Sequence, residues 1–201
     1  MYMVFYLLLL LAPLARSTPC CTHSQFEATL VEIGAIVDNQ TSTVNPLYAD
    51  LKVYYDYPGK QMRIDRTVEL GYGSTATHTL ITRFNMNRSF FVNGISGRCG
   101  VALVSTPMQP PCVPANATNE GTHTLGTQSD NILINTWSFM AKGSNTMTMS
   151  EKECSPVKET HISGDNEARH EVTYLYSDVT IGIHDMSIFN IPDVCIRGPI
   201  G

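Results

Sequence analysis

The sequence predicts a fold that is almost entirely antiparallel β, and three observations support this. Apolar and polar side chains alternate strictly over residues 47–57, which is typical of a strand with one buried face. Residues 172–183 are rich in β-branched and aromatic side chains, the composition of a pleated and largely buried surface. No segment longer than ten residues shows a convincing helical period. Antiparallel strands with one apolar face must curl or stack to bury it, so a curled or stacked sheet is expected.

The N-terminal part of the predicted sheet consists of one strand and then a hairpin of two strands. Apolar side chains at alternate positions within residues 25–36 indicate the first strand, and residues 47–57 form the second. Pro58-Gly59 predicts a β-turn after the second strand, because proline presets the first central position and glycine accepts a positive φ at the second. Alternation over residues 62–65 then brings the next strand back, antiparallel to the second.

The remaining chain predicts two more hairpins and a long final strand. Glycine and serine make residues 69–77 a flexible connection, and the prolines in residues 100–130 favour a loop over the surface. The hairpins and the final strand are residues 80–84 with 90–92, residues 131–139 with 146–153, and residues 172–185. Ser177 and Asp178 interrupt the final strand as a bulge or bend. Asp185 is an N-cap-like residue for a single helical turn.

The first seventeen residues predict a cleaved secretory signal peptide, residues 1–17. An apolar run is followed by Ala15-Arg16-Ser17, a small-x-small pattern suited to signal peptidase. No other stretch approaches the length of a membrane span, so the protein is not expected to span a membrane. Residues 18–201 have the length of one domain rather than two.

Composition predicts a secreted, disulfide-bonded glycoprotein. Six cysteines behind a signal peptide indicate disulfides in an oxidising compartment, and no Cys-x-x-Cys or His-x-x-x-His spacing supports zinc. A formal net charge of −5 without a basic run argues against nucleic acid or anionic membranes as partners. Three acceptor sequons begin at Asn39, Asn87 and Asn116, each in a polar segment between strand-like runs, and predict N-glycosylation.

No motif for catalysis is present, so the protein is not expected to be an enzyme or to require a cofactor. Neither Gly-x-Ser-x-Gly nor His-Glu-x-x-His occurs, and three disulfides would leave no free thiol. His184 and Asp185 are adjacent, so on a strand they face opposite sides and cannot form a dyad directly. A structural or solvated role is the favoured interpretation of His184.

Two motifs near the C-terminus carry a family resemblance. The first is Cys-Ser-Pro-Val-Lys-Glu-Thr, beginning at Cys154. The second is Gly-Ile-His-Asp-Met-Ser-Ile-Phe, beginning at Gly182, and it is followed by a Pro-Asp-Val-Cys ending at Cys195. In this order and at this spacing the motifs closely resemble the C-terminal half of the ependymin-related secreted glycoproteins. Residues 51–66 and 79–99 resemble two hairpins of the same family, so the resemblance covers most of the chain after residue 17.

The resemblance implies a fold that periodicity does not specify. Ependymin-related proteins fold as two stacked antiparallel sheets that form a half-open barrel around a deep hydrophobic cleft, similar to bacterial lipoprotein carriers. They are also homodimers, so a homodimer is expected here. Six cysteines permit fifteen pairings, and sequence by itself does not choose among them. The family pattern implies Cys20–Cys154 and Cys99–Cys195, which leaves Cys21 and Cys112 to pair, although Cys20 and Cys21 are interchangeable at this stage.

The family is also described as calcium-associated, an association often ascribed to its glycans. Calcium requires six to eight oxygen ligands from a shaped loop, and the EF-hand spacing is absent. The acidic and amide side chains that are candidates for a weak calcium site are Asp165, Asn166, Glu167, Asp178 and Asp185. A solvated charged loop is the favoured interpretation of any one of them.

An apolar ligand is the sharper hypothesis, because a half-open barrel leaves part of its inner face accessible. Each ligand methylene buried there would contribute about 0.8 kcal/mol. The cleft candidates are the apolar and aromatic positions Leu51, Val53, Tyr55, Ile64, Phe84, Phe91, Trp137, Phe139 and Ile181. Their spacing fits a closed core equally well, and the residues by themselves favour that closed core. The resemblance reverses this preference.

These expectations combine into two hypotheses for function. The first is a secreted glycoprotein without catalytic activity that binds a fatty acid or glycolipid in a half-barrel cleft. The second is a calcium-associated protein of the extracellular matrix that mediates cell-matrix adhesion and carries no lipid.

Overall fold

One antiparallel sheet of eleven strands dominates the computed structural model, which describes residues 19–197. The strands are β1 (Gln25–Asp38), β2 (Val44–Asp56), β3 (Gln61–Gly71), β4 (Ser74–Arg83), β5 (Arg88–Val92), β6 (Cys99–Leu103), β7 (Thr118–Gly126), β8 (Asn131–Met140), β9 (Ser144–Ser150), β10 (Pro156–Gly164) and β11 (Ala168–Ile181). Two 3-10 turns and one short helix accompany them: Phe84–Met86, Met186–Phe189 and α1 (Asp193–Arg197). No helix within residues 19–197 is long and apolar enough to cross a membrane. The predicted signal peptide lies outside the described residues.

The strand order divides the sheet into two meanders that meet at its centre. The order is β6-β5-β4-β3-β2-β1-β11-β10-β9-β8-β7, so β1 to β6 form one half and β7 to β11 the other. Within each half, consecutive strands pair because short turns keep them adjacent. The first and last strands join the halves and pair from Phe26–Ile181 to Asp38–Ala168.

The predicted mainly antiparallel, half-open fold is confirmed, with one correction to its layers. The two stacked sheets expected from the resemblance are two halves of one continuous hydrogen-bonded sheet. The sheet does not close into a barrel, because β6 and β7 lie at its two opposite edges. Strands twist, so a sheet of this width curls, and curling turns one face inward.

Two segments predicted as connections contain strands instead. Residues 69–77 include the end of β3 and the start of β4, which remain paired as far as Gly71–Ser74 with a register shift after Glu69. Residues 100–130 include most of β6 and all of β7. Both of these edge strands are largely exposed. Neither strand has one buried face, so neither carries an alternating apolar pattern, and the prediction fails there even though the backbone ladder forms.

Two local predictions near the C-terminus are confirmed. The final strand β11 carries a bulge, seen as a register shift against Glu27 and Thr29 and as a φ of 50° at Asp178. Asp185 caps the turn Met186–Phe189, because its carboxylate accepts a hydrogen bond of 2.8 Å from the Ser187 amide. His184 lies outside the strand, and its amide donates to Glu27 Oε1 at 2.8 Å.

The glycine of the Pro58-Gly59 turn is required for a different reason from the one predicted. The positive φ, 53°, belongs to Lys60 rather than to Gly59. A Cβ atom at Gly59 would lie 2.1 Å from Asp56 Oδ2. Glycine therefore leaves room for a carboxylate and is not needed for a left-handed backbone conformation.

That carboxylate, Asp56, is 1% exposed and ties three parts of the sheet together. It accepts hydrogen bonds from Gln25 Nε2 at 2.9 Å, Gln61 Nε2 at 2.7 Å and the Gly59 amide at 3.0 Å. Burial by itself would raise the pKa of Asp56. The three hydrogen bonds and the charge of Arg83 outweigh burial and hold this pKa below its ordinary value of 3.8.

Replacing Asp56 with asparagine is expected to lower the free energy of unfolding by about 1–3 kcal/mol at neutral pH, because an amide donor would then face other donors. A carboxylate whose folded pKa is lowered stabilises the fold above its unfolded pKa, and this stabilisation is lost as the pH falls through the folded pKa. The difference between wild type and Asp56→Asn should therefore shrink below about pH 4. Urea unfolding at several pH values measures this difference in the free energy of unfolding. Asp50→Asn, at an exposed position of the same strand, is the control; a constant difference from pH 7 to 3 would contradict the assignment.

The inward face of the curled sheet, called here the concave face, carries the main core. Its buried cluster lies on two central strands and consists of Phe26, Ala28, Leu30, Ala49, Leu51 and Val53. Partly buried Tyr55, Ile64, Val68, Tyr174, Tyr176 and Val179 pack against that cluster. The alternation predicted from the sequence thus places the apolar positions of β1 and β2 on one face.

A segment called here the strap, residues 104–117, crosses the concave face. It must cross because it joins β6 to β7, which lie at opposite edges of the sheet. The Thr22 amide donates to the Pro111 carbonyl at 2.8 Å, and the Val113 amide donates to the Cys20 carbonyl at 2.9 Å. The Tyr55 hydroxyl also donates to the carbonyl of Gln109. The strap is therefore fixed both to the N-terminal segment and to β2.

Three disulfides are present, and they are the pairs expected from the resemblance: Cys20–Cys154, Cys21–Cys112 and Cys99–Cys195. The first two hold the N-terminal segment to the second half of the sheet and to the strap. The third holds α1 to the edge strand β6. No cysteine within the described part of the chain is free.

Candidate functional site

A cavity of about 320 Å³ lies on the concave face, between the two halves of the sheet and beneath the strap. Its volume is near the lower end of the range for small-molecule pockets. Six strands contribute to its walls: β1, β2 and β3 from one half, and β9, β10 and β11 from the other. The cavity therefore exists only because the sheet curls and the strap closes one side.

Most of the lining is apolar. The first half of the sheet contributes Phe26, Leu30, Leu51, Val53, Met62 and Ile64, and the second half contributes Met147, Met149 and Pro156. The strap adds Gln109, Pro110 and Pro111. Methionine side chains are flexible and polarisable, so this surface can adapt to an aliphatic guest.

A small polar group is set into this lining. It comprises Tyr55, Tyr174, Tyr176 and Glu159, with Thr22 at the N-terminal segment. Burial, together with the nearby Glu159 carboxylate, raises the pKa of Tyr176 well above its ordinary value. Burial also raises the pKa of Tyr55 and Tyr174. The tyrosines therefore remain neutral hydrogen-bond donors at physiological pH, and they surround one carboxylate.

Of the nine predicted cleft residues, four line the cavity and five lie elsewhere. Leu51, Val53, Tyr55 and Ile64 line the cavity. The others lie elsewhere: Phe84 in the 3-10 turn after β4, Phe91 on β5 stacked on His78, Phe139 on β8, Ile181 67% exposed at the end of β11, and Trp137 in a separate core.

Trp137 lies on β8, and the strap covers it instead of leaving it open to a ligand. It is 2% exposed and packs in a cluster with Val113, Met149 and Cys154. Val113 belongs to the strap, so the strap and the Cys20–Cys154 disulfide fill this end of the concave face. The closed-core interpretation thus describes the β8 end of the sheet, and the open-cleft interpretation describes its centre.

Among the lining residues that the sequence predictions did not include are Glu159, Tyr174, Tyr176 and the methionines of β9. The sequence did contain part of the evidence for this lining, because Tyr174 and Tyr176 lie two residues apart on one strand and so share a face. The strap residues carried no such signal, since a proline-rich loop gives no indication of what it covers.

The predicted calcium candidates lie at three separate places: Asp165, Asn166 and Glu167 in the β10–β11 turn, Asp178 on β11, and Asp185 after β11. Asp165 accepts hydrogen bonds from the Glu167 and Ala168 amides in the β10–β11 turn, and its pKa is lowered by them. Asp178 lies at the bulge of β11, and Asp185 caps the following turn. Among residues 19–197 no three His, Cys, Asp or Glu side chains are placed to hold one metal ion. Calcium binding therefore stays a prediction, without a shared site in this part of the chain.

The three sequon asparagines all lie outside the strands and are exposed. Asn39 follows β1, Asn87 follows the first 3-10 turn, and Asn116 lies in the strap. This is the placement that glycan attachment requires. N-glycosylation itself stays a prediction.

A second, larger depression of about 700 Å³ lies on the outer, convex face between β1 and β11. It is lined by Ile33, Ala35 and Val37 together with charged Arg169 and Glu171. The concave cavity is the better candidate site, because strands from both halves and the strap wall it and its lining is more continuously apolar.

These features define a class of protein: a disulfide-crosslinked domain in which one open antiparallel sheet curls around an apolar cavity. The Ependymin family model matches residues 73–195, and the chain belongs to the ependymin family. Mammalian ependymin-related protein 1 from Rattus norvegicus is 28% identical over 101 residues, 48% of this chain and 44% of the relative. The protein of the same name from Mus musculus is 26% identical over 110 residues, 53% of this chain and 48% of the relative. The matches thus span about half the length of these relatives.

Two solved structures are similar to this chain at very low sequence identity. An uncharacterized conserved protein from Thermus thermophilus has a TM-score of 0.50 and 8% identity, with 86% of this chain and 88% of that chain covered. A LolA superfamily protein from Nitrosomonas europaea has a TM-score of 0.34 and 6% identity, with 84% and 91% covered. The Thermus structure supports the fold alone.

Proposed function

We propose that this protein is a secreted, N-glycosylated carrier without catalytic activity that holds one aliphatic ligand in the concave cavity. The observation that carries the proposal is the cavity itself, about 320 Å³ and lined mostly by apolar side chains from both halves of the sheet. A cavity of this chemistry gains free energy from each apolar group it removes from water. The three disulfides of the protein suit an extracellular location.

Binding of the neutral dye Nile red tests the proposal directly. Purified protein, extracted with organic solvent to remove any resident lipid, should enhance the dye fluorescence and yield a saturable binding curve. Native mass spectrometry of protein that has not been extracted should show a bound lipid mass. If extracted protein takes up no dye and the untreated protein carries no lipid, the carrier function is wrong.

Replacing Val53 with aspartate is expected to weaken dye binding at least about tenfold, because an unpaired carboxylate would face the apolar guest. Val53 is 9% exposed and lines the cavity. Leu175→Asp is the matched control, since Leu175 lies on the convex face and is 40% exposed. Equal losses in both variants would contradict the assignment of the site.

A second variant protects the test against misfolding of Val53→Asp. Ile64→Trp adds volume to a partly exposed position of the cavity wall without adding charge. It is expected to reduce dye capacity while the circular dichroism spectrum remains that of the wild type. Unchanged binding in this variant would place the ligand elsewhere.

The remaining expectations stay predictions with their own tests. Cell-matrix adhesion through calcium would appear as loss of matrix attachment on chelation or deglycosylation. For the expected homodimer, the convex face offers exposed Ile33, Val44 and Tyr48, which are 46%, 59% and 63% exposed.

A further inference from the structure

The cavity has an electrostatic asymmetry that bears on the ligand's polar end. Of the described residues that line it, Glu159 alone carries a charge. Glu159 lies at the centre of β10, opposite Tyr174 on β11 and Met147 on β9. Its side chain is 19% exposed, so solvent screens it only in part.

The carboxylate of Glu159 has unused capacity to accept hydrogen bonds. An ionised carboxylate can accept about four hydrogen bonds. The Tyr176 hydroxyl lies near this carboxylate, and Glu159 contributes to the raised pKa of Tyr176. The other neighbour is His161, whose Nε2 lies 3.4 Å from Glu159 Oε2.

The orientation of the His161 imidazole determines whether it can donate a hydrogen bond to Glu159. Asn145 Nδ2 donates to the carbonyls of Ala141 and Gly143, each at 3.0 Å, which fixes the orientation of the amide. Asn145 Oδ1 therefore faces His161 Nδ1 at 2.6 Å and accepts its proton. The ring lies between two acceptors, Asn145 Oδ1 at 2.6 Å and Glu159 Oε2 at 3.4 Å. When the imidazole is neutral its single N–H serves the shorter contact, to Asn145, and Nε2 then has only a lone pair toward Glu159.

The nearby cation Arg66 is also committed elsewhere. Its Nε and Nη2 donate to the carboxylate of Glu32 at 2.9 and 3.3 Å. Arg66 does not line the cavity. A guest in the cavity therefore meets the negative charge of Glu159 without a cation free to neutralise it.

We propose that the cavity selects an aliphatic chain that ends in a hydrogen-bond donor, with an ammonium bound best and a hydroxyl next, and that it rejects a free carboxylate. This inference rests on the proposed carrier function and narrows it. An ammonium forms a charge-assisted hydrogen bond with Glu159, whereas a second carboxylate beside it in a low dielectric is repelled. Of the two ligand types expected from the sequence, a free fatty acid is thereby disfavoured and a hydroxyl-bearing lipid is retained.

Three ligands with one chain and different ends test the inference. Dodecylamine, dodecanol and dodecanoate, each kept below its micelle concentration, compete with Nile red for the extracted protein at about pH 8, above the ordinary titration range of histidine. Dodecylamine is expected to displace the dye at a concentration at least about tenfold lower than dodecanoate does, since a hydrogen bond to a charged group contributes about 1.5–3 kcal/mol.

The variant Glu159→Gln preserves the shape of the side chain and removes its charge. In this variant the preference for dodecylamine over dodecanoate should fall to about threefold or less, while dodecanol changes little. Glu171→Gln is the matched control, because Glu171 is an exposed carboxylate on the convex face and its loss changes the net charge equally. The preference should survive in that control.

The outcomes separate the two proposals. If dodecanoate competes as well as dodecylamine in the wild type, or if Glu159→Gln keeps the wild-type preference, the head-group inference is wrong and the carrier function stands. If Nile red and all three dodecyl compounds fail to bind, the carrier function fails and the inference with it.

Discussion

Replacing Trp137 with alanine should lower the free energy of unfolding by about 3–5 kcal/mol, the largest effect expected of any side-chain truncation in this protein. Trp137 is 2% exposed and packs against Val113, Met149 and Cys154. Truncation would remove an aromatic side chain from the contact between the strap and the second half of the sheet. The surrounding disulfides restrict relaxation, so a cavity would remain.

Trp137→Phe is the informative control for this prediction. The indole Nε1 is buried, and no hydrogen-bond partner for it exists among the described residues. Phenylalanine would therefore lose volume but no hydrogen bond, and the expected cost is about 1.5 kcal/mol or less. Urea unfolding followed by circular dichroism measures both variants. If phenylalanine and alanine destabilise the protein equally, the loss is not one of packing and the assignment of this core is wrong.

Removing the Cys99–Cys195 disulfide should cost about 4–5 kcal/mol in the chain-entropy picture, because it closes a loop with a sequence separation of 96. This disulfide holds α1 and its approach segment to the edge strand β6. A hydrogen bond also holds this segment to the sheet, because Arg63 Nη1 donates to the Ile188 carbonyl at 2.8 Å. Buried Phe189 lies in the segment, which returns across the first half of the sheet.

The variant for this test changes both cysteines to serine, so that no unpaired thiol remains. A fall in melting temperature of about 10 °C is expected for a chain of this size. Amide hydrogen exchange should accelerate first in β6 and α1. Arg98→Ser with Ile196→Ser is the matched control, because these exposed neighbours are altered while the disulfide stays. A loss below about 1 kcal/mol would show that the segment is held by packing instead.

Local sequence pattern predicted much of the sheet. The alternation of β2 and the turn at Pro58-Gly59 placed the β2–β3 hairpin correctly, and five of its apolar or aromatic positions line the cavity: Leu51, Val53, Tyr55, Met62 and Ile64. The pattern succeeded there because one face of these strands is buried against the core. It failed for β6 and β7, whose faces are both largely polar or exposed.

The site was harder to predict than the strands. Phe91, Phe139 and Ile181 have the side chains of a cleft wall but lie outside the cavity, while Glu159, which was not among the predicted site residues, lines it. Whether an apolar strand residue lines a cavity or a closed core depends on what covers its face. The covering group is the strap, whose sequence of prolines and polar residues carries no periodic signal.

The sequence by itself determined the antiparallel β class, the faces of the central strands and, through its two C-terminal motifs, the ependymin family. Which of Cys20 and Cys21 pairs with Cys154 was decided by the structure. Only the tertiary structure decided that the sheet is one continuous layer, that the strap fills the end beside Trp137, and that Glu159 enters an apolar cavity. The reason is physical. The alternation of apolar and polar side chains shows which face of a strand is buried, and this is a local property. The cavity results from the pairing of β1 with β11, which leaves β6 and β7 at opposite edges of the sheet, so the strap that joins them must cross between those edges.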